Sequence, residues 1–258
     1  MKRHIIIHYH LFKNAGSTVD FLLTRHFKER WLTYDIPNRT IGSLRPSELA
    51  EFVASKPYVQ AVSTHLAKLS VPTSDDCCYH PLVFLRHPLD RIGSVYAYLR
   101  RLPDHDRREP VLMAKSHDLA DFVRWRLDQR FGANIRNFQT SMLCNDHINL
   151  TYKRATAEDL KAAKDTISDL AYFGLVEHFD ASIEEMRVYL QPYFGEIDTH
   201  YQIQNKSPDR SPHLNQRLDE LLQSLGSSVY DELESANRLD LELYDFAETL
   251  FMSRKTSN

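Results

Sequence analysis

The sequence has 258 residues, of which 42% are hydrophobic and 26% charged, which is ordinary for a globular protein and fits one domain over residues 1–258. Its formal net charge is −3, so no overall positive field favours a nucleic-acid partner. The apolar block Ile5–Ile7 is too short for a signal peptide or a membrane span, so we expect a cytoplasmic protein without a membrane partner. Three cysteines are too few for a disulfide framework and fit a reducing compartment.

Short apolar runs alternate with segments of helical period along the chain. Buried strands are predicted at Ile5–His8, Tyr58–Ser63, Leu82–Leu85 and Tyr172–Val176. Helices are predicted over Thr18–Arg30 and Pro88–Leu102, from a capping box at Ser182 and Glu185 to Tyr193, and as one long amphipathic helix from Val229 to Leu250. This order predicts an α/β fold, a single domain with a mostly parallel central sheet flanked by helices, in which ligands bind beyond the carboxyl ends of the strands.

The segment after the first predicted strand is typical of an anion-binding loop. It reads Lys13-Asn14-Ala15-Gly16-Ser17-Thr18 and leads directly into a helix. A turn at a helix start presents free backbone N–H groups and the positive end of the helix dipole, which together bind phosphate or sulfate. The segment is not the nucleotide triphosphatase loop, because its lysine precedes the glycine and the first glycine of that motif is absent. The alternative is an ordinary Gly-Ser turn with a surface lysine.

Two further strand ends carry residues that suit the same site. Arg86 follows the run Leu82–Leu85, where its guanidinium can grip a phosphate with two hydrogen bonds, and Ser94 lies two turns into the next helix. His65 follows the run Tyr58–Ser63 and is a candidate general base, because an imidazole titrates near neutral pH. A lone histidine is more often structural, so His65 gains weight only if these strand ends meet in one cleft.

Together these segments resemble the carbohydrate sulfotransferases that use 3′-phosphoadenosine 5′-phosphosulfate (PAPS), closest to the heparan sulfate 2-O-sulfotransferase branch. The segment Lys13–Thr18 is similar to that family's 5′-phosphosulfate loop. The segment similar to its 3′-phosphate motif reads Val83-Phe84-Leu85-Arg86-His87-Pro88-Leu89-Asp90-Arg91-Ile92-Gly93-Ser94-Val95-Tyr96. Weaker similarities are Thr64-His65, where the family has a Gly-His pair with the catalytic base, and the segments Phe138–Cys144, Tyr172–Glu177 and Gln204–Ser207.

The resemblance implies a soluble, bacterial-type enzyme with the P-loop-like sulfotransferase fold. It would transfer a sulfuryl group from PAPS to a hydroxyl acceptor, expected to be a carbohydrate, without a metal. His65 would be the base, and Lys13 would stabilise the charge that develops on the leaving phosphate oxygen. The residues implied in cofactor binding are Lys13, Asn14, Ala15, Gly16, Ser17, Thr18, Arg86, Ser94 and Lys206.

Three other functions stay open on the sequence alone: a nucleotide kinase with an unusual phosphate loop, a metallohydrolase with zinc held by His8, His10 and His65, and a non-catalytic nucleotide-binding module. The zinc reading leaves Lys13 and Arg86 unexplained. His10 is also an alternative general base. A locally basic stretch over residues 100–136 either faces an anionic acceptor or forms solvated helix faces.

Overall fold

Five parallel strands form the central sheet of the computed structural model, which describes residues 2–128, 133–144, 154–201 and 211–256. The strands are β1 (Arg3–Tyr9), β2 (Trp31–Thr33), β3 (Ala61–Thr64), β4 (Cys77–Leu85) and β5 (Gly174–Leu175). Their order in the sheet is β2-β3-β1-β4-β5, and every pairing is parallel. The predicted single α/β domain with a parallel sheet flanked by helices is therefore confirmed.

Helices connect the strands and cover the sheet on both faces. In the described ranges they are α1 (Gly16–Phe27), α2 (Pro46–Ala54), α3 (Pro88–Arg101), α4 (Glu109–Ser116), α5 (Leu119–Asp128), α6 (Phe138–Leu143), α7 (Ala157–Asp169), α8 (Phe179–Phe194), α9 (Leu214–Leu225), α10 (Ser227–Ala236) and α11 (Arg238–Thr256). Among these described helices, none has both the length and the apolar character needed to cross a membrane.

The alternation of side chains along β1 decides which residues meet α1. Ile5, Ile7 and Tyr9 pack into the core beneath α2, α7 and α11. Ile6 points to the opposite face, into the cluster formed with α1 and α8. Because strand residues of equal parity share a face, His8 and His10 lie on the α1 side as well. Two histidines are thus placed under α1, the helix that follows the expected anion loop.

The connections place the switch point of the sheet between β1 and β4. The chain leaves β1 toward β3 and β2 on one side, whereas it leaves β4 toward β5 on the other. At such a switch of direction the loops beyond neighbouring strands diverge, and ligands of open parallel sheets bind there. The loop after β1 carries Lys13 and Gly16, and Arg86 follows β4 directly. The topology therefore brings two of the predicted strand ends together.

Two predicted features of the fold are wrong. Ser182 does not cap a helix, because α8 begins at Phe179 and the buried Ser182 hydroxyl instead bonds the backbone N–H and carbonyl of Leu175 at 2.9 and 3.1 Å. The long C-terminal helix is divided into α10 and α11 at Asn237. That side chain is fully buried and donates to the carbonyl of Ile135 at 2.8 Å, so a polar anchor interrupts an otherwise continuous apolar pattern.

One strand is absent from the prediction. β2 has only three residues, too few to show a period of two, and it extends the sheet beyond β3. Its register pairs Trp31 with Ala61 and Thr33 with Ser63, and the Trp31 indole donates to the Ser63 hydroxyl at 3.0 Å. This short strand matters for the site, because the chain that leaves it passes beside the end of β3.

Candidate functional site

The loop between β1 and α1 has the backbone form of an anion cradle. Lys13 and Ala15 adopt left-handed conformations with φ of 67° and 60°, which L-residues rarely do. In the described structure the N–H groups of Ala15, Gly16 and Ser17 make no backbone hydrogen bond, whereas the N–H of Thr18 donates to the Ala15 carbonyl at 3.0 Å. Three adjacent N–H groups therefore stand at the positive end of α1, whereas the N–H of Thr18, the fourth in the predicted set, already has an acceptor.

Gly16 is required by a neighbouring ring. Its own φ is not positive, so the turn does not demand glycine for conformational freedom. A Cβ built at this position would lie 2.1 Å from Cδ2 and 2.3 Å from Nε2 of His10. The imidazole edge of His10 thus packs directly on the first residue of α1. This contact joins the histidines of the sheet to the anion loop.

Asn14 fastens the loop to the scaffold. Its buried amide donates to the Phe84 carbonyl and to Oε1 of Gln139, both at 2.7 Å. Gln139 in turn accepts the N–H of Arg86 at 3.0 Å and donates to the Arg86 carbonyl at 2.8 Å. The Asn14 side chain, predicted to bind cofactor, therefore holds the two strand-end loops together.

Arg86 lies under the loop, and two of its three guanidinium nitrogens donate hydrogen bonds within the protein. The side chain is 4% exposed; Nε donates to Asp90 at 2.9 Å and Nη1 to the Lys13 carbonyl at 2.8 Å. The other oxygen of Asp90 accepts from Arg217 of α9 at 2.8 Å. Nη2 of Arg86 is buried and has no hydrogen-bond partner among the described residues. A buried cationic donor without a partner is costly, and a bound anion would satisfy it.

His65 stands beyond the end of β3 with one nitrogen held. Its Nδ1 is 2.7 Å from Oδ2 of Asp35, and its backbone N–H donates to Oδ1 at 2.8 Å. Burial would raise the pKa of Asp35, but the hydrogen bonds from His65 and Thr64 outweigh it and lower that pKa. The His65 side chain is 40% exposed, so its remaining nitrogen is accessible.

His10 connects His65 to the anion loop. The two rings stack with centroids 3.9 Å apart and planes 29° apart, and His8 stacks on the far side of His10 at 5.2 Å. The Nδ1 atoms of His8 and His10 each lie 2.8 Å from a separate oxygen of Asp20. Burial lowers the pKa of His10 to about 4, against the hydrogen bond to Asp20. At neutral pH, His10 is therefore an uncharged ring.

The proposed zinc set does not form as the sequence suggested. His65 presents a ring face to His10, whereas a metal ligand must aim a nitrogen at the ion. Among the residues that the structure describes, the group whose possible ligand atoms lie within 4.8 Å of one another is His8, His10 and Asp20. The histidines outweigh burial in holding the pKa of Asp20 well below its ordinary value. Two imidazoles that donate to one ionised carboxylate account for this arrangement, and Nε2 of His8 is buried with no hydrogen-bond partner among the described residues.

The remaining residues predicted to bind the cofactor differ in how exposed they are. Lys13 is half-buried, with Nζ 4.5 Å from the centre of the Tyr98 ring of α3. Ser17 is exposed at the start of α1, and Ser94 is half-buried on α3. Lys206 lies outside the described residues, as do the rest of the loop Gln204–Ser207 and Arg130.

Three of the nine basic residues in the stretch 100–136 form ion pairs with nearby aspartates. Arg108 pairs with Asp106 at 2.7 Å and Lys115 with Asp104 at 2.5 Å. Arg124 pairs with an aspartate three residues earlier. These pairings favour solvated helix faces over a surface dedicated to an anionic acceptor.

Sequence reasoning missed Asp20, Asp35, Gln139 and Arg217. Asp35 carried a usable signal, since it is a polar residue just beyond a strand end, but the strand itself is too short to recognise. Asp20, Gln139 and Arg217 meet the site only through packing of helices, which no local pattern encodes.

Comparisons with known proteins define a family but no activity. No family model matches the chain. A protein of Archaeoglobus fulgidus described as an uncharacterized protein is 30% identical over 259 residues, which are 95% of this chain and 96% of that protein. The two chains correspond over nearly their full length.

Proposed function

The chain belongs to the same family as the Archaeoglobus fulgidus protein, and from the geometry of its strand-end site we propose that it is a PAPS-dependent sulfotransferase. The observation that carries the proposal is the contact of His10 with both halves of the site. Its edge packs on Gly16 and its face stacks on His65. A histidine with an exposed side chain thus lies one ring away from three N–H groups that have no hydrogen bond within the described part of the chain and could bind a sulfate or phosphate.

The fit to the donor rests on charge and on unfilled hydrogen-bonding capacity. The N–H groups of Ala15, Gly16 and Ser17 would bind the 5′-phosphosulfate, and Nη2 of Arg86 is the buried donor suited to a phosphate oxygen. Ser94 would contribute its hydroxyl to the 3′-phosphate.

The chemistry then follows from these roles. The acceptor hydroxyl oxygen forms a bond to sulfur while the bond from sulfur to the bridging phosphate oxygen breaks. The hydroxyl proton passes to Nε2 of His65, and the electron pair of the broken bond stays on the phosphate oxygen, giving 3′-phosphoadenosine 5′-phosphate. Lys13 would stabilise the charge that develops on that oxygen. The acceptor is proposed to be a carbohydrate hydroxyl, and the three free thiols fit a cytoplasmic enzyme.

A metal-dependent hydrolase is the second candidate, favoured by the cluster of His8, His10 and Asp20. It would use the three residues as ligands and would have no need of Arg86 or of the loop N–H groups. The two functions therefore predict different ligands, a nucleotide with two anionic groups in one case and a divalent cation in the other.

The test is transfer of ³⁵S from labelled PAPS to a panel of mono- and oligosaccharides, with release of labelled sulfate to water followed in the same reactions. The wild-type protein is expected to label at least one sugar, and His65→Ala should lower the rate about a hundredfold to ten-thousandfold with donor affinity nearly unchanged. Zinc-dependent hydrolysis without any sulfur transfer would favour the second candidate.

A further inference from the structure

Asp35 contacts His65 at two points and the preceding residue, Thr64, at a third. One carboxylate oxygen accepts the backbone N–H of His65 at 2.8 Å and the Thr64 hydroxyl at 3.1 Å. The other lies 2.7 Å from Nδ1 of the His65 ring. An ionised carboxylate has only acceptor atoms, so Nδ1 must carry the proton in this bond. The lone pair of a neutral His65 ring is therefore on Nε2.

The sheet itself delivers Asp35 to this position. β2 pairs with β3 so that Thr33 lies opposite Ser63, and the N–H of Tyr34 continues the ladder to the Ser63 carbonyl at 2.9 Å. The single proton of the Thr64 hydroxyl is shared between the Tyr34 carbonyl at 2.8 Å and the Asp35 carboxylate at 3.1 Å. Asp35 follows Tyr34 in the sequence and therefore lies beside His65 on a backbone that is fixed by strand pairing.

A ring stacked on His65 also restricts its orientation. His10 stacks on the His65 ring with centroids 3.9 Å apart, and Nδ1 of His10 itself lies 2.8 Å from Asp20. His10 is also buried and packed on Gly16, which leaves His65 as the accessible ring of the stack.

We infer that Asp35 is the positioning residue of this site, which fixes the His65 ring with Nδ1 protonated and Nε2 directed to the acceptor side. The effect of Asp35 on turnover rests on the proposed function. Its effect on the tautomer of the His65 ring does not depend on that function. Asp35 touches neither donor nor acceptor and acts only through His65. Replacement by asparagine keeps the shape but offers an N–H to Nδ1, which favours the tautomer whose Nε2 is protonated and cannot accept a proton.

The experiment compares wild type, Asp35→Asn and Asp198→Asn by long-range ¹H–¹⁵N correlation spectra of the imidazoles, with His65→Ala to assign the signal. Asp198 is a matched control because one of its oxygens accepts the backbone N–H and Nδ1 of His200 at 2.9 and 2.8 Å, on a ring that is 97% exposed. Neutral His65 should be the Nδ1–H form in wild type and in Asp198→Asn. In Asp35→Asn it should become a mixture or the Nε2–H form.

Turnover with labelled PAPS completes the test. Asp35→Asn should lower kcat about a hundredfold or more, with the affinity for 3′-phosphoadenosine 5′-phosphate changed less than threefold. An unchanged His65 tautomer in Asp35→Asn would overturn the inference, as would an altered tautomer with wild-type kcat. If wild type transfers no sulfur at all, the proposed function fails, and the spectra alone then decide whether Asp35 fixes the ring.

Discussion

Replacing Gly16 by alanine tests the contact that joins the two halves of the site. The new methyl carbon would lie 2.1 Å from Cδ2 of His10, against an ordinary carbon–carbon separation of about 3.5–4.0 Å. The ring cannot simply swing aside, because Asp20 holds its Nδ1 at 2.8 Å and His65 stacks on its face. Overpacking of this kind costs about 1–3 kcal/mol, and we expect Gly16→Ala to lower the free energy of unfolding by that amount.

The assay is urea denaturation followed by circular dichroism, with Gly93→Ala as a matched control. Gly93 is also a helical glycine, but a Cβ there would meet nothing nearer than Leu221 at 3.9 Å. Since alanine is favoured over glycine inside a helix, Gly93→Ala should be neutral or stabilise by about 0.5–1 kcal/mol.

A double-mutant cycle isolates the steric cause. In a His10→Ala background the ring is gone, so Gly16→Ala should lose most of its cost, a coupling of about 1 kcal/mol or more. Equal destabilisation by Gly16→Ala with and without His10 would refute the packing of His10 on Gly16, and with it the link between base and anion loop.

Three further outcomes follow from the site. Lys13→Ala should lower sulfur transfer about a hundredfold or more with little change in unfolding free energy, as measured by labelled PAPS turnover and urea titration. The pKa of His10 falls from 6.5 to about 4 on folding, so between these pH values the unfolded state binds more protons than the folded state. The contribution of the uncharged His10 to stability is therefore complete above about pH 6.5 and is lost as the pH falls toward 4. Urea midpoints should therefore fall from pH 7.5 to 5, and His10→Gln should flatten that dependence. Ser94→Ala should weaken binding of 3′-phosphoadenosine 5′-phosphate about tenfold and leave AMP binding unchanged, by calorimetry.

The sequence predicts the parts of the fold and site that depend on local pattern. Ile5–Ile7 and Leu82–Leu85 are continuous apolar runs, which is how strands buried on both faces appear, and the parallel sheet follows from their alternation with helices. The anion loop at Gly16 and the positions of His65 and Arg86 after strands are also predicted from neighbouring residues in the sequence. The break at Asn237 is not, because its partner Ile135 is about a hundred residues away along the chain.

The hydrogen-bond partners of the predicted residues could not be predicted either, because they are distant in sequence and meet only in the folded protein. Asp35 meets His65 only through the register of a three-residue strand, and Asn14 meets Gln139 across 125 positions. The reason for glycine at position 16 is also non-local, since φ there is ordinary and the constraint comes from the ring of His10. Local pattern placed the candidate groups, and tertiary packing determines what each can do.

Parallel calorimetric titrations with 3′-phosphoadenosine 5′-phosphate, AMP, ATP and zinc test the central claim most directly. An anion site built on the loop N–H groups and on Nη2 of Arg86, which has no hydrogen-bond partner among the described residues, should discriminate between the nucleotides. It should bind the 3′-phosphorylated nucleotide about tenfold to a hundredfold more tightly than AMP, which corresponds to about 1.5–3 kcal/mol for a charged hydrogen-bonded contact. Equal affinity for the two nucleotides, or tight binding of zinc or ATP with neither, would contradict the sulfotransferase account.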